Sequence, residues 1–146
     1  MRCLGIDYGE RRIGLSWGDE LGVAVPLAAA TQSTSEARLA HVVQLIRERR
    51  ATDLVVGYPY NMDGSIGFKA REVDAFVEKL TALVPLPVHR VDERLSTRTA
   101  TEHMSKRRDD AMRRSGKIDS MAASVILQDF LNQRLPPPAP DEPLAE

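Results

Sequence analysis

Apolar and polar positions fall into short blocks along this chain, and the blocks change period in a regular order. Arg2 to Asp7 is an apolar run ending in an acid, and Arg12 to Trp17 is a second. The turn residues Tyr8-Gly9-Glu10-Arg11 between them leave the two strands close enough to pair as a hairpin. Gly18-Asp19-Glu20 and Gly22 mark another turn before a third strand, Val23 to Ala30. Ser33-Thr34-Ser35-Glu36 supplies helix-start residues. Leu39, Val42, Val43 and Ile46 then share one face at about 100° per residue, with His41 on the solvated side. Asp53 to Gly57 is a β-branched run of the kind found in buried parallel strands. A loop from Tyr58 to Gly67 precedes a second amphipathic helix that buries Val73, Phe76, Val77 and Leu80. Pro85 to Val91 is a fifth strand, followed by a helix around Ser96 to Lys106, a basic loop and a last helix from about Lys117 to Asn132.

Short turns between strands imply antiparallel pairing, and helical crossovers imply parallel pairing. The expected architecture is α/β: a mixed five-stranded sheet, three antiparallel strands and then two parallel ones, flanked by helices. At about 150 residues per domain, residues 1–135 make one domain. Residues 136–146 hold five prolines and no apolar run, which predicts a disordered, acidic tail.

Composition narrows the class. The single cysteine, Cys3, excludes an internal disulfide framework and a Cys₄ zinc site, and is expected to be buried in the first strand. No stretch approaches the roughly 18 apolar residues of a membrane span. The N-terminus turns acidic at Asp7 before a signal peptide's apolar region forms. A soluble, cytoplasmic protein without a membrane partner is expected. The net charge of −1 is unevenly spread: the tail carries three acids and no base, so residues 1–135 sum to +2. From Arg94 to Lys117, eight bases (Arg94, Arg98, Lys106, Arg107, Arg108, Arg113, Arg114 and Lys117) stand against three acids. That stretch reads either as a phosphate-facing patch or as a solvated helix-and-loop surface.

Three acidic positions stand out. Asp7 ends an apolar strand, where it either caps the following turn or lies at the carboxyl end of the sheet, the place where ligand sites gather. Asp92 and Glu93 follow the fifth strand, which should run parallel to the first; they either cap the next helix or join Asp7. Wound as a helix from Lys117, the last segment places Lys117, Ser120, Ser124 and Gln128 in a polar stripe. Asp119 falls on the opposite face, with Ala122, Ala123, Ile126 and Phe130, and is expected to meet the sheet. A lone buried carboxylate is costly and is normally paired or metal-bound. Acids from three elements converging at one sheet end suit Mg²⁺ or Mn²⁺, and two such ions activate water and stabilise the leaving oxygen of a phosphodiester.

Four motifs carry a resemblance: Leu4-Gly5-Ile6-Asp7-Tyr8-Gly9 with Arg12-Ile13-Gly14-Leu15; Val55-Val56-Gly57-Tyr58-Pro59 with Asn61-Met62-Asp63-Gly64-Ser65; Asp92-Glu93-Arg94-Leu95-Ser96-Thr97; and Ile118-Asp119-Ser120-Met121-Ala122-Ala123. In this order, across most of residues 4–131, they resemble the YqgF (RuvX) family. This is an RNase H-like group of pre-16S rRNA nucleases and Holliday junction resolvase-like proteins. The resemblance implies an RNase H-like sheet, catalytic and metal-binding roles for Asp7, Glu93 and Asp119, and Mg²⁺ or Mn²⁺, as two ions, for the cofactor. It also implies a nucleic-acid partner, with structured RNA favoured and branched DNA as the alternative. Binding falls to Arg94, Arg98, Arg107, Arg108, Arg113, Arg114 and Lys117. Maturation of the pre-16S rRNA 5′ end is the expected activity, junction resolution the alternative, and a non-catalytic nucleic-acid-binding module the remote one. The helices' apolar stripes look narrow enough for one side of the sheet, which favours a monomer.

One difficulty is geometric. Two strand spacings, roughly 10 Å, separate the first strand from the fifth, so Glu93, or Asp92 in its stead, must bend inward to share a metal with Asp7. Tyr8, Tyr58 and Tyr60 are candidates for stacking on unpaired bases. Asn61 to Ser65 reads as a turn or as a substrate-positioning loop. His89 and His103 lack metal-ligand spacing.

Overall fold

A computed structural model of the chain describes residues 1–61, 63–93 and 118–134, without the Ile118 side chain. The expected helix around Ser96 to Lys106, the basic loop and the 136–146 tail lie outside the described residues. Strands β1 (Cys3–Tyr8), β2 (Ile13–Gly18) and β3 (Val25–Ala30) lead into helix α1 (Ser35–Arg49). Strand β4 (Asp53–Tyr58), helix α2 (Phe68–Leu83) and strand β5 (Val88–Asp92) follow. A 3₁₀ turn at Ile118–Ser120 opens helix α3 (Met121–Arg134). The sheet order is β3-β2-β1-β4-β5. β1–β2 and β2–β3 are antiparallel, while β1–β4 and β4–β5 are parallel, as turn and crossover lengths require. The third and fifth strands begin two or three residues later than their apolar runs suggest.

Strand alternation sorts the side chains between two cores. Leu4, Ile6, Ile13, Leu15, Leu54 and Val56 pack with Val42, Val43 and Ile46 of α1 and Val73, Phe76, Val77 and Leu80 of α2. Cys3 and Val55, from the opposite face, pack with Ile126, Leu127, Phe130 and Leu131 of α3. The α3 face is built for close approach. A Cβ on Gly5 would lie 2.2 Å from Ser16 Oγ, 2.9 Å from Leu127 Cβ and 3.1 Å from the Ala123 carbonyl oxygen. Only a glycine fits there.

The polar stripe expected on the solvent side of α3 instead faces the sheet. Ser120 is fully buried and its Oγ accepts from the Leu15 N–H at 2.9 Å, beside a register shift between β2 and β3. Ser124 is buried and donates to the Met121 carbonyl, and Gln128 bridges the Ala24 N–H and the Gly22 carbonyl. The buried arc of α3 is wider than the apolar positions counted from Lys117: Ala123, Ile126 and Phe130 are buried as expected, but Leu127 and Leu131 are too, and they carry Ser124 in with them. Short hydroxyls that find backbone partners tolerate burial.

At the amino end of the sheet, His89 Nε2 lies 2.8 Å from Asp53 Oδ2, tying β5 to β4. Thr52 Oγ1 donates to Asp53 Oδ1 at 2.8 Å. Burial alone would raise the Asp53 carboxyl, but the His89 and Thr52 hydrogen bonds outweigh it and hold it below its usual range. A depressed carboxylate contributes stability that is present above its unfolded pKa, about 3.9, and is lost as pH falls through the folded value. Asp53→Asn should therefore cost about 1–2 kcal/mol at pH 7 and flatten the acid limb of the melting profile. An acid limb identical to that of the unmodified chain would show that the pair contributes nothing.

Candidate active site

Asp7 stands at the carboxyl end of β1, the central strand, on the α3 face. The register answers which of Asp92 and Glu93 joins it. Tyr58 pairs with Asp92, placing Asp92 on the α1/α2 side, while Val91 and Glu93 alternate onto the α3 face that carries Asp7. Glu93 then has to cross β4, and it does so over Gly57. A Cβ at Gly57 would lie 2.9 Å from Glu93 Cγ and 3.0 Å from Glu93 Cδ. The missing side chain is the passage by which two acids on non-adjacent strands meet.

They meet as a hydrogen-bonded carboxyl pair. Burial, then the hydrogen bond and negative charge of Asp7, push Glu93 up to about 8, with Lys69 opposing. Burial also raises Asp7, although the hydrogen bond from Glu93 works the other way. Both carboxyls are raised, and the pair shares a proton across its hydrogen bond. Two like charges in contact at low dielectric cannot both ionise without a cation.

Asp119 arrives differently from its expected place inside a helix. It lies in the 3₁₀ turn, half-exposed, with its carbonyl oxygen so near β2 that a Cβ on Gly14 would come within 2.5 Å. Its Oδ1 accepts from Arg12 Nη1 at 3.2 Å. Among the described residues no group of three or more His, Cys, Asp or Glu side chains is close enough to hold a metal ion. The structure thus brings Asp7 and Glu93 together, and ties Asp119 to the same end of the sheet through Arg12.

A cavity of about 620 Å³ opens on the pair, bounded also by Arg11, Arg12, Lys69 and Glu72. These three bases, which line the cavity among the described residues, are ones the charge count along the chain passes over, because they are scattered in sequence. Their signal is position: Arg12 immediately precedes β2, and Lys69 lies in the first turn of α2. Arg38, buried on α1, donates to the Glu10 carbonyl at 2.8 Å and the Gln32 carbonyl at 2.6 Å, fixing the turn that presents Arg11 and Arg12.

The family model described as RuvX, Holliday junction resolvase, matches residues 1–133. The chain belongs to the RuvX family. A protein of Opitutus terrae provisionally named pre-16S rRNA nuclease is 55% identical over 141 residues, 96% of this chain and 97% of its own length. One of Anaeromyxobacter with the same provisional name is 43% identical, covering 92% and 98%. RuvX membership makes the chain a nuclease, an enzyme that hydrolyses phosphodiester bonds. The fold agrees with two solved resolvases. Thermus thermophilus RuvC in complex with a Holliday junction superposes with a TM-score of 0.54 at 18% identity, covering 92% of this chain and 95% of that one. The fowlpox virus resolvase with its junction DNA superposes with a TM-score of 0.57 at 12% identity, covering 93% and 100%. At such identities the likeness shows the RNase H-like fold that the four RuvX motifs imply.

Arg94, Arg98, Arg107, Arg108, Arg113, Arg114 and Lys117 lie outside the described residues. Tyr58 is not available for stacking: it is buried, donates to Asp74 Oδ2 at 2.6 Å, and has Tyr60 against it edge-on. His41 is half-buried beside Gln32 rather than solvated, its Nδ1 2.8 Å from the amide nitrogen. Gly64 N–H donates to the Asn61 carbonyl and Asp63 Oδ1 accepts from the Ser65 N–H and hydroxyl, with Gly64 at φ 88°. Cys3 is buried, as expected. No described helix is long and apolar enough to cross a membrane.

Proposed function

We propose that this chain is a divalent-metal-dependent nuclease in which Asp7 and Glu93 hold Mg²⁺ or Mn²⁺, Asp119 completes the set, and the substrate is structured RNA, the 5′ end of pre-16S rRNA. The observation that carries it is the Asp7–Glu93 carboxyl pair meeting over Gly57. Such a pair fits a hard cation: Mg²⁺ takes one or two carboxylates and leaves its other positions to water and substrate phosphate. When bound, the ion supplies an activated water and neutralises charge on the leaving oxygen. The chain's own residues do the rest. Asp7, Glu93 and Asp119 would hold the ion, the proton shared by Asp7 and Glu93 being released to water as it binds. Arg12, Arg11 and Lys69 then face the phosphate across the cavity. The relatives' shared name supports RNA as the substrate.

The test is cleavage of matched structured RNA, single-stranded DNA and a four-way junction with Mg²⁺ or Mn²⁺. Cleavage of the RNA precursor that stops in EDTA is the expected result. Paired symmetric cuts in the junction by a stable dimer, with RNA untouched, would replace RNA maturation by junction resolution, since symmetric cutting needs two sites about a two-fold axis. Neutralising Arg107, Arg108, Arg113 and Arg114 together should weaken RNA binding. The log–log salt dependence should flatten by somewhat under one unit per lost phosphate contact.

A further inference from the structure

A second cavity, of about 190 Å³, lies between α1 and α2 beside the active site. The two share Tyr8 and Glu72 as lining residues, so they adjoin at the end of β1. Its walls combine an aromatic floor with polar edges. Tyr8 lies against Phe76, ring centroids 4.7 Å apart, while Glu36 and Lys79 offer an acceptor and a donor at the rim. The volume accommodates one planar heterocycle and is too small for a base pair. Asp7 and Tyr8 are consecutive on β1 and so point to opposite faces of the sheet. A nucleotide whose phosphate is held at Asp7 can therefore turn its base over the strand end, toward Tyr8.

We propose that this cavity is a base subsite: it takes one unpaired nucleobase flanking the scissile phosphate, with Tyr8 as the stacking surface. The subsite makes the enzyme select a junction between paired and unpaired nucleotides rather than continuous duplex. This rests on the nuclease reading above. Of the three tyrosines that the sequence offers for stacking, Tyr8 is the one that lines both cavities, while Tyr58 and Tyr60 are engaged with each other.

The experiment uses the full chain carrying Asp7→Asn, so that substrate is bound without being cut. The probe is an RNA duplex with one unpaired 2-aminopurine, compared with the fully paired duplex. Stacking on Tyr8 should quench the 2-aminopurine emission, and the unpaired probe should bind about 10-fold tighter than the paired one. Adding Ala75→Trp, an exposed position that lines the cavity, should fill it and abolish both effects without touching the core. Tyr8→Ala should do the same and Tyr8→Phe should restore both. Tight binding with unchanged emission, or a preference that survives Ala75→Trp, overturns the subsite while leaving the nuclease reading intact. No binding to either duplex overturns the nuclease reading and the subsite with it.

Discussion

Gly57→Ala should remove cleavage activity while leaving a folded protein. The added methyl would fall 2.4 Å from Ile126 Cδ1 and 2.9 Å from Glu93 Cγ. Both are side-chain atoms that can shift, so the cost in stability is that of ordinary overpacking, about 1–3 kcal/mol. Glu93 has no alternative route to Asp7, however, because β4 lies between their strands. Displacing a catalytic group by about 1 Å costs on the order of 10²-fold, and loss of kcat/KM by at least that factor is expected. RNA affinity, measured without metal, should change little. Gly5→Ala is the contrasting control. Its methyl would meet Ser16, Leu127 and the Ala123 backbone, one pleat along β1 from Asp7 and clear of the Glu93 side chain, so it should lower the melting temperature more and the activity of the surviving folded fraction less. Cleavage by Gly57→Ala at the normal rate would show that Glu93 does not need this passage.

Asp7→Asn should abolish cleavage and, without metal, stabilise the fold. Outer-shell partners of metal ligands are worth about 10–100-fold, so loss of a direct ligand should exceed about 100-fold. The stability effect follows from the raised pKa values of the pair. A group whose folded pKa lies above its unfolded one contributes stability below the unfolded value, about 4 for a carboxyl. That contribution is lost as pH rises, for Glu93 through about 8. In EDTA the unmodified chain should therefore melt progressively lower from pH 5 to pH 9. The Asp7→Asn profile should be flatter and, at pH 9, a few degrees higher, as removal of one charge from a contacting pair relieves about 1–2 kcal/mol. Adding Mn²⁺ should raise the melting temperature of the unmodified chain by mass action and leave the variant unmoved. Equal shifts in both proteins would place the metal elsewhere. Glu93→Gln and Asp119→Asn should also lose cleavage, while Asp92→Asn, on the other face of β5, should retain it.

Much of this was legible in the sequence, and the losses have identifiable causes. Strand order and pairing sense followed from the lengths of the connections, and the inward faces of α1 and α2 from their period. The choice between Asp92 and Glu93 did not follow, because a shift of one residue in a strand exchanges its faces. An apolar run from Pro85 to Val91 does not locate the first paired residue, Val88. The acids themselves were recognisable as acids ending apolar runs, but that Gly57 lets two of them touch is a property of three adjacent strands. Arg11, Arg12 and Lys69 form no run of charge, since nearly sixty residues separate the arginine pair from Lys69, and only the fold brings them to one cavity. Ser120 looked solvent-facing because its buried partner, the Leu15 N–H, is 105 residues away.

That separation bears on how the molecule comes into being. α3 is at once the cover of one sheet face and the carrier of Asp119, and its anchors to β2 join the two ends of the chain. Until α3 docks, Cys3 and Val55 have no cover and Asp119 is not held beside β2. Completion of this core and delivery of Asp119 to the acid pair's end of the sheet are then one event, the docking of α3.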